Sequence, residues 1–104
     1  MKLRVLEEFW GINRRTGKRT TKQTDEKIID IKAGQCIEMP IGRRVFSIDE
    51  VSTKQIIVSV HYQNTIANKT WMIKKGESVF YRPLAMDGGY QYTLLLEDDE
   101  KVGE

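Results

Sequence analysis

The chain has 104 residues, of which 17 are basic and 15 acidic, for a net charge of +2. That length makes one domain, because two half-sized domains would each be too small to bury a core. Cys36 is the only cysteine, which excludes an internal disulfide and fits a reducing compartment. No apolar run approaches the ~20 residues of a membrane helix, and Glu7 and Glu8 interrupt the N-terminal stretch before it reaches signal-peptide length. A cytoplasmic protein that does not engage a membrane is expected.

In chain order, Leu3 to Trp10 reads as a first strand whose apolar phase shifts around Leu6, Phe9 and Trp10, as at a bulge. Gly11 to Lys27 is polar, with Thr16-Gly17 at its centre, and its threonines favour a protruding hairpin over a loose loop. Ile28 to Ile31 is the second strand and Gln35 to Met39 the third, ended by Pro40-Ile41-Gly42, since proline cannot donate to a ladder. Arg43 to Val51 is the fourth. Gln55 to Tyr62 alternates most regularly, with Ile56, Val58, Val60 and Tyr62 on one face. Gln63 to Asn68 is a turn, Lys69 to Lys74 and Ser78 to Arg82 are strands about the Lys75-Gly76 corner, and Tyr90 to Glu97 follows the turn Asp87-Gly88-Gly89.

Asp30 to Pro40, DIKAGQCIEMP, recurs forty-two positions later as Met72 to Arg82, MIKKGESVFYR. Each copy turns through a Lys-x-Gly tip between strands, the pattern of a hairpin corner, and together they predict a twofold-repeated β architecture. The expected fold is an all-β, single-domain sandwich or jelly-roll-like barrel of seven to eight short strands spanning 1–97. A basic hairpin or loop insertion at 13–27 protrudes from it, and 98–104 form a flexible acidic tail.

GQCIEMPIG, with Gly34, Pro40 and Gly42, resembles part of the second cupin motif, and the resemblance implies a jelly-roll barrel. The position of that motif's metal-binding histidine holds Val45, and its later asparagine position holds Asp49. The first cupin motif is absent. No metal or other cofactor is therefore expected, and one histidine, His61, among scattered carboxylates makes a poor transition-metal site. His61 shares a strand face with Ser59, and Asp49 or Glu50 can approach from the neighbouring strand. A triad also needs mutual hydrogen bonding that spacing does not supply, so the expectation is a structural histidine in a protein that is not an enzyme. Cys36 lacks the cation or helix N-terminus that activates a thiol.

The charge distribution is the most distinctive polar feature. Arg14, Arg15, Lys18, Arg19 and Lys22 form a basic run with no acidic residue, while Glu97 to Glu104 carries five acidic residues against Lys101. The leading expectation is an interaction module that docks to a protein partner or to itself through the basic hairpin or an open sheet edge. A nucleic-acid module is the alternative: five phosphate contacts would give a slope of log K against log [salt] of about −4 to −5 on duplex DNA. A second alternative is a small-ligand or sugar-binding barrel, with Tyr62, Trp71 and Tyr81 as an aromatic platform.

Overall fold

The structure, a computed structural model, describes residues 1–62, 67–83, 85 and 87–97. Eight strands, β1 (Lys2–Ile12), β2 (Arg19–Asp30), β3 (Cys36–Met39), β4 (Arg44–Val51), β5 (Gln55–Tyr62), β6 (Ala67–Lys74), β7 (Ser78–Tyr81) and β8 (Gly88–Glu97), make an all-β protein with no helix among the described residues. They form two four-stranded antiparallel sheets, β2-β1-β8-β7 and β3-β4-β5-β6, and neither closes on itself. The acidic tail at 98–104 and most of the turn after β5 lie outside the described residues.

Strand order follows the chain as a meander. Five of the six pairings join sequence neighbours, and only β1 with β8 joins distant segments. A jelly roll instead interleaves distant strands in both sheets, so the barrel implied by the cupin-like stretch differs from the order found. GQCIEMPIG owes its glycines and proline to two turns bounding β3.

The repeat marks the two places where the chain passes from one sheet to the other. Gly34 follows β2 and Gly76 follows β6, at φ of 82° and 80°, a region glycine enters without strain. Three hydrogen bonds recur at the two sites. Gly34 N–H donates to the Ile48 carbonyl and Gly76 N–H to that of Leu96; Ile48 N–H donates to Gln35 and Leu96 N–H to Glu77; Gln35 N–H donates to Lys32 and Glu77 N–H to Lys74. The two corners are thus crossovers between sheets, not hairpins within one. A hairpin would pair β2 with β3, and each of these strands finds its partner elsewhere.

One core lies between the inner faces. Leu3, Val5, Leu94 and Leu96 come from the first sheet and Phe46, Ile48, Val58 and Ile73 from the second, all fully buried. An aromatic series joins the sheets at their open side. Trp71 on β6 meets Tyr81 edge to face at 5.3 Å, Tyr81 stacks on Tyr92 at 6.1 Å, and Tyr92 meets Phe46 edge to face at 5.3 Å.

β2 is the largest departure from the expected elements. Eleven of its twelve residues pair with β1 from Ile12↔Arg19 to Lys2↔Asp30, so the polar stretch from Arg19 to Lys27 is strand although most of it is exposed. The register slips between Glu7 and Glu8, where β2 carries the extra residue Thr24; the bulge is on β2, not on β1. β1 keeps its alternation. Trp10 lies on the face opposite Leu3 and Val5, and its burial comes from side chains laid over it.

Candidate functional site

In a meander every second connection falls at the same end. Residues 13–18 between β1 and β2, 40–43 between β3 and β4, and, between β7 and β8, the described residues 82, 83, 85 and 87 gather beside the last residue of β5, Tyr62. Six of the chain's seven arginines, Arg14, Arg15, Arg19, Arg43, Arg44 and Arg82, lie there, while Arg4 is held by Glu26 and Glu97 nearer the opposite end.

Of the five cations expected on the ribbon, Arg14, Arg15 and Lys18 are on the turn. Asn13 organises it by accepting from the backbone N–H of Arg15 at 2.9 Å and exchanging backbone hydrogen bonds with Lys18 and Gly17, the latter at φ 72°. Arg14 is paired with Asp87, its Nε 2.9 Å from Oδ2, so it is partly neutralised. Arg15 and Lys18 are exposed. Arg19 and Lys22 are on β2 and point to opposite faces: Arg19 pairs with Ile12, on Trp10's face, and Lys22 with Phe9, on the face of Val5. The five therefore do not form one row. Arg19 and Arg82 lie over the Trp10 ring at 5.3 and 5.2 Å, a cation–π arrangement that leaves the indole only 3% exposed.

Beside this ribbon opens a cleft of about 420 Å³, lined by Ile41–Arg44 and Tyr62 from the second sheet and by Pro83, Ala85, Gly89 and Tyr90 from the first. Its floor is fixed by Glu7, which is completely buried. Glu7 Oε2 accepts from Gly42 N–H at 3.1 Å and from the Tyr92 hydroxyl at 2.8 Å, and Oε1 accepts from Thr24 Oγ1 at 2.6 Å. Burial, followed by this bond and the Glu7 charge, holds the Tyr92 phenol well above its ordinary range. Residue 42 has to be glycine because a Cβ there would overlap the Tyr92 hydroxyl and lie 2.6 Å from Glu7 Oε2.

The next residue, Arg43, has φ 58°, a left-handed conformation uncommon for a side chain with Cβ. Arg44 Nη1 donates to the Gly42 carbonyl at 3.0 Å and its guanidinium lies 4.3 Å from the centre of the Tyr62 ring. Arg44 Nε is buried and, among the described residues, has no hydrogen-bond partner. The same holds for Trp10 Nε1, close beneath Gly89.

The aromatic platform expected from Tyr62, Trp71 and Tyr81 is divided by the fold. Trp71 and Tyr81 meet at an interplanar angle of 70°, half-buried against the core, so they present no flat surface. Tyr62 stands apart from them on Arg44.

His61 does meet a serine and an aspartate, on the outer face of the second sheet. Ser47 Oγ is 3.0 Å from Asp49 Oδ1 and 3.2 Å from His61 Nε2; Ser59 Oγ donates to Asp49 Oδ2 and is 2.8 Å from Thr70 Oγ1. Each hydroxyl has one proton, and a carboxylate only accepts. Ser47 and Ser59 both donate to Asp49, so His61 Nε2 donates to Ser47 and Thr70 to Ser59. The network points toward the carboxylate, the reverse of the serine-to-histidine bond that activates a nucleophile.

Spacing alone missed Arg43, Arg44, Arg82 and Tyr90. The available signal was their position: all lie in or next to connections that a meander brings to one end. No protein-family model, no curated protein and no solved structure matches the chain.

Proposed function

We propose that the protein is a non-enzymatic interaction module, a sandwich of two open sheets that docks through its arginine-bearing end onto a single-stranded nucleic acid. The observation that supports this reading is the gathering of six arginines with Tyr62 and Tyr90 at one end. Guanidinium groups grip phosphate by paired hydrogen bonds and stack on flat rings, which ammonium groups do less well, and aromatic rings accept bases of any sequence.

The test is fluorescence anisotropy of labelled single-stranded RNA across a salt series, for the wild type and an Arg15→Glu, Lys18→Glu variant. These two residues are exposed, so the variant leaves the fold intact. Five phosphate contacts on a single strand predict a slope of log K against log [salt] of about −3.5. The variant should flatten the slope and weaken binding at least tenfold. Equal affinity in the variant would overturn docking through the turn that bears Arg15 and Lys18, and tighter binding of polyglutamate than of RNA would replace nucleic acid with an acidic protein partner.

A second reading, docking to another copy, rests on β2. It is a twelve-residue edge strand, and one row of its backbone groups is open to a further strand. Its first half carries Arg19 and Lys22 and its second Asp25, Glu26 and Asp30. Antiparallel pairing of two copies that sets Gln23 against the partner's Glu26 also sets Arg19 against the partner's Asp30. Sedimentation should then show a dimer that Ile28→Lys dissociates; a monomer at all concentrations removes this reading.

A further inference from the structure

We infer that the cleft between Arg43–Arg44 and Tyr90 is a binding site for a nucleotide, that is, a phosphate joined to a planar ring. The inference builds on the phosphate-docking reading of the same end and adds a discrete pocket to it. The cleft of about 420 Å³ falls in the roughly 300–1,000 Å³ range of small-molecule sites. Its charged lining residues are both arginines and its aromatic ones both tyrosines, with no carboxylate among them.

The guanidinium of Arg44 is already oriented. Gly42 holds one of its terminal nitrogens, the Tyr62 ring supports its flat face, and Nε remains buried with an unused proton. A buried donor without a partner is uncommon in folded proteins and calls for an acceptor, whether an ordered water or a ligand atom. A phosphate oxygen meets that need and takes a second bond from the same fork. Arg43 is next to it, exposed at the mouth in a left-handed conformation. Strained backbone of this kind persists where its surroundings fix it, and here Gly42 is anchored to Glu7 and packed against Tyr92. Tyr62, whose ring carries Arg44 on one face, and Tyr90 line the cleft with aromatic edge and face that the ring of the ligand can contact and inorganic phosphate cannot.

The same chemistry arises from a free nucleotide or from the phosphorylated end of a strand. Isothermal titration with AMP, adenosine and inorganic phosphate, then with a short oligonucleotide bearing a 5′-phosphate or a 5′-hydroxyl, separates the sources. AMP should bind at least tenfold more tightly than either adenosine or phosphate. Arg44→Lys, which keeps the charge but loses the fork and the stack, should weaken AMP tenfold or more, and Arg43→Gln about fivefold. Arg43→Gln is at an exposed position, so its loss is read on folded protein; an unchanged near-ultraviolet spectrum checks this.

A preference for the 5′-phosphorylated strand over both AMP and the hydroxyl strand identifies a terminal nucleotide as the occupant, and equal strand affinities with tight AMP identify the free nucleotide. AMP no tighter than phosphate, or affinity indifferent to both substitutions, overturns the inference. The Arg15→Glu, Lys18→Glu variant keeps the two readings separate. RNA binding that this variant abolishes, alongside no AMP binding, leaves the ribbon standing and removes the cleft. AMP binding without RNA binding does the reverse.

Discussion

Glu7 and Asp49 are both carboxylates that accept several hydrogen bonds, and they do so at opposite depths. Glu7 is sealed between the sheets and takes protons from Thr24, Gly42 and Tyr92, which belong to three separate elements. Asp49 is on the outer face of one sheet, exposed, and takes protons from Ser47 on its own strand and Ser59 on the next. Water can replace any partner that Asp49 loses. Nothing replaces those of Glu7, so the same hydrogen-bond chemistry is a surface arrangement in one place and a structural joint in the other.

The largest expected effect sharpens this contrast. Glu7→Leu leaves the Gly42 N–H and the Tyr92 hydroxyl buried without an acceptor and should lower stability by about 3 kcal/mol or more in urea unfolding. Removing Tyr92's hydroxyl as well, in Glu7→Leu, Tyr92→Phe, should recover part of that loss, because one stranded donor disappears with it. A single variant that unfolds at the wild-type midpoint would show that the joint carries no load.

The next effect is a pH dependence. Tyr92 holds its proton more tightly when folded than at the ordinary tyrosine value of about 10. Above that pH the unfolded chain releases a proton that the folded chain retains, so this contribution is complete below about pH 10 and is lost as pH rises beyond it. Urea midpoints from pH 9 to 11.5 should fall more steeply in the wild type than in Tyr92→Phe, the two diverging by up to about 1.4 kcal/mol per pH unit. Parallel curves would mean that the phenol titrates as if exposed. The smallest effect belongs to the outer network: Asp49→Asn keeps one acceptor at the surface and should change stability by about 0.5 kcal/mol or less. A loss matching that of Glu7→Leu would erase the distinction between the two carboxylates.

The two networks also differ in how far the sequence revealed them. His61 and Ser59 share a face by simple alternation, and Asp49 or Glu50 was expected from the neighbouring strand, so part of the network was legible from β4 and β5; Ser47 and the choice of Asp49, which sits at a bulge, were not. Nothing near Glu7 in sequence announces its role. It follows Leu3 and Val5 in phase, at a position that alternation assigns to the core, and its partners lie 17, 35 and 85 residues away. Alternation gave Gln55–Tyr62 to the residue, and the Lys-x-Gly repeat marked both corners, although it read as two hairpins where the chain in fact crosses between sheets. β2 was only half seen, because its residues from Arg19 to Lys27 are held by the backbone of β1 and offer few apolar side chains to read. The arginine-bearing end escaped for a related reason. Arg14, Arg43 and Arg82 are separated in sequence by whole strands and become neighbours only once the order of the sheets is known.

That order also sets a schedule for folding. Five of the six strand pairings can close over short turns while the chain is otherwise open, whereas β1 and β8 have to meet across most of its length. The Glu7–Tyr92 bond lies on that last pairing, Glu7↔Tyr92 in register. On that basis the buried joint should form late, together with the single long-range ladder. Strengthening it should therefore slow unfolding much more than it speeds folding, so the lifetime of the folded state is set at the contact between the first strand and the last.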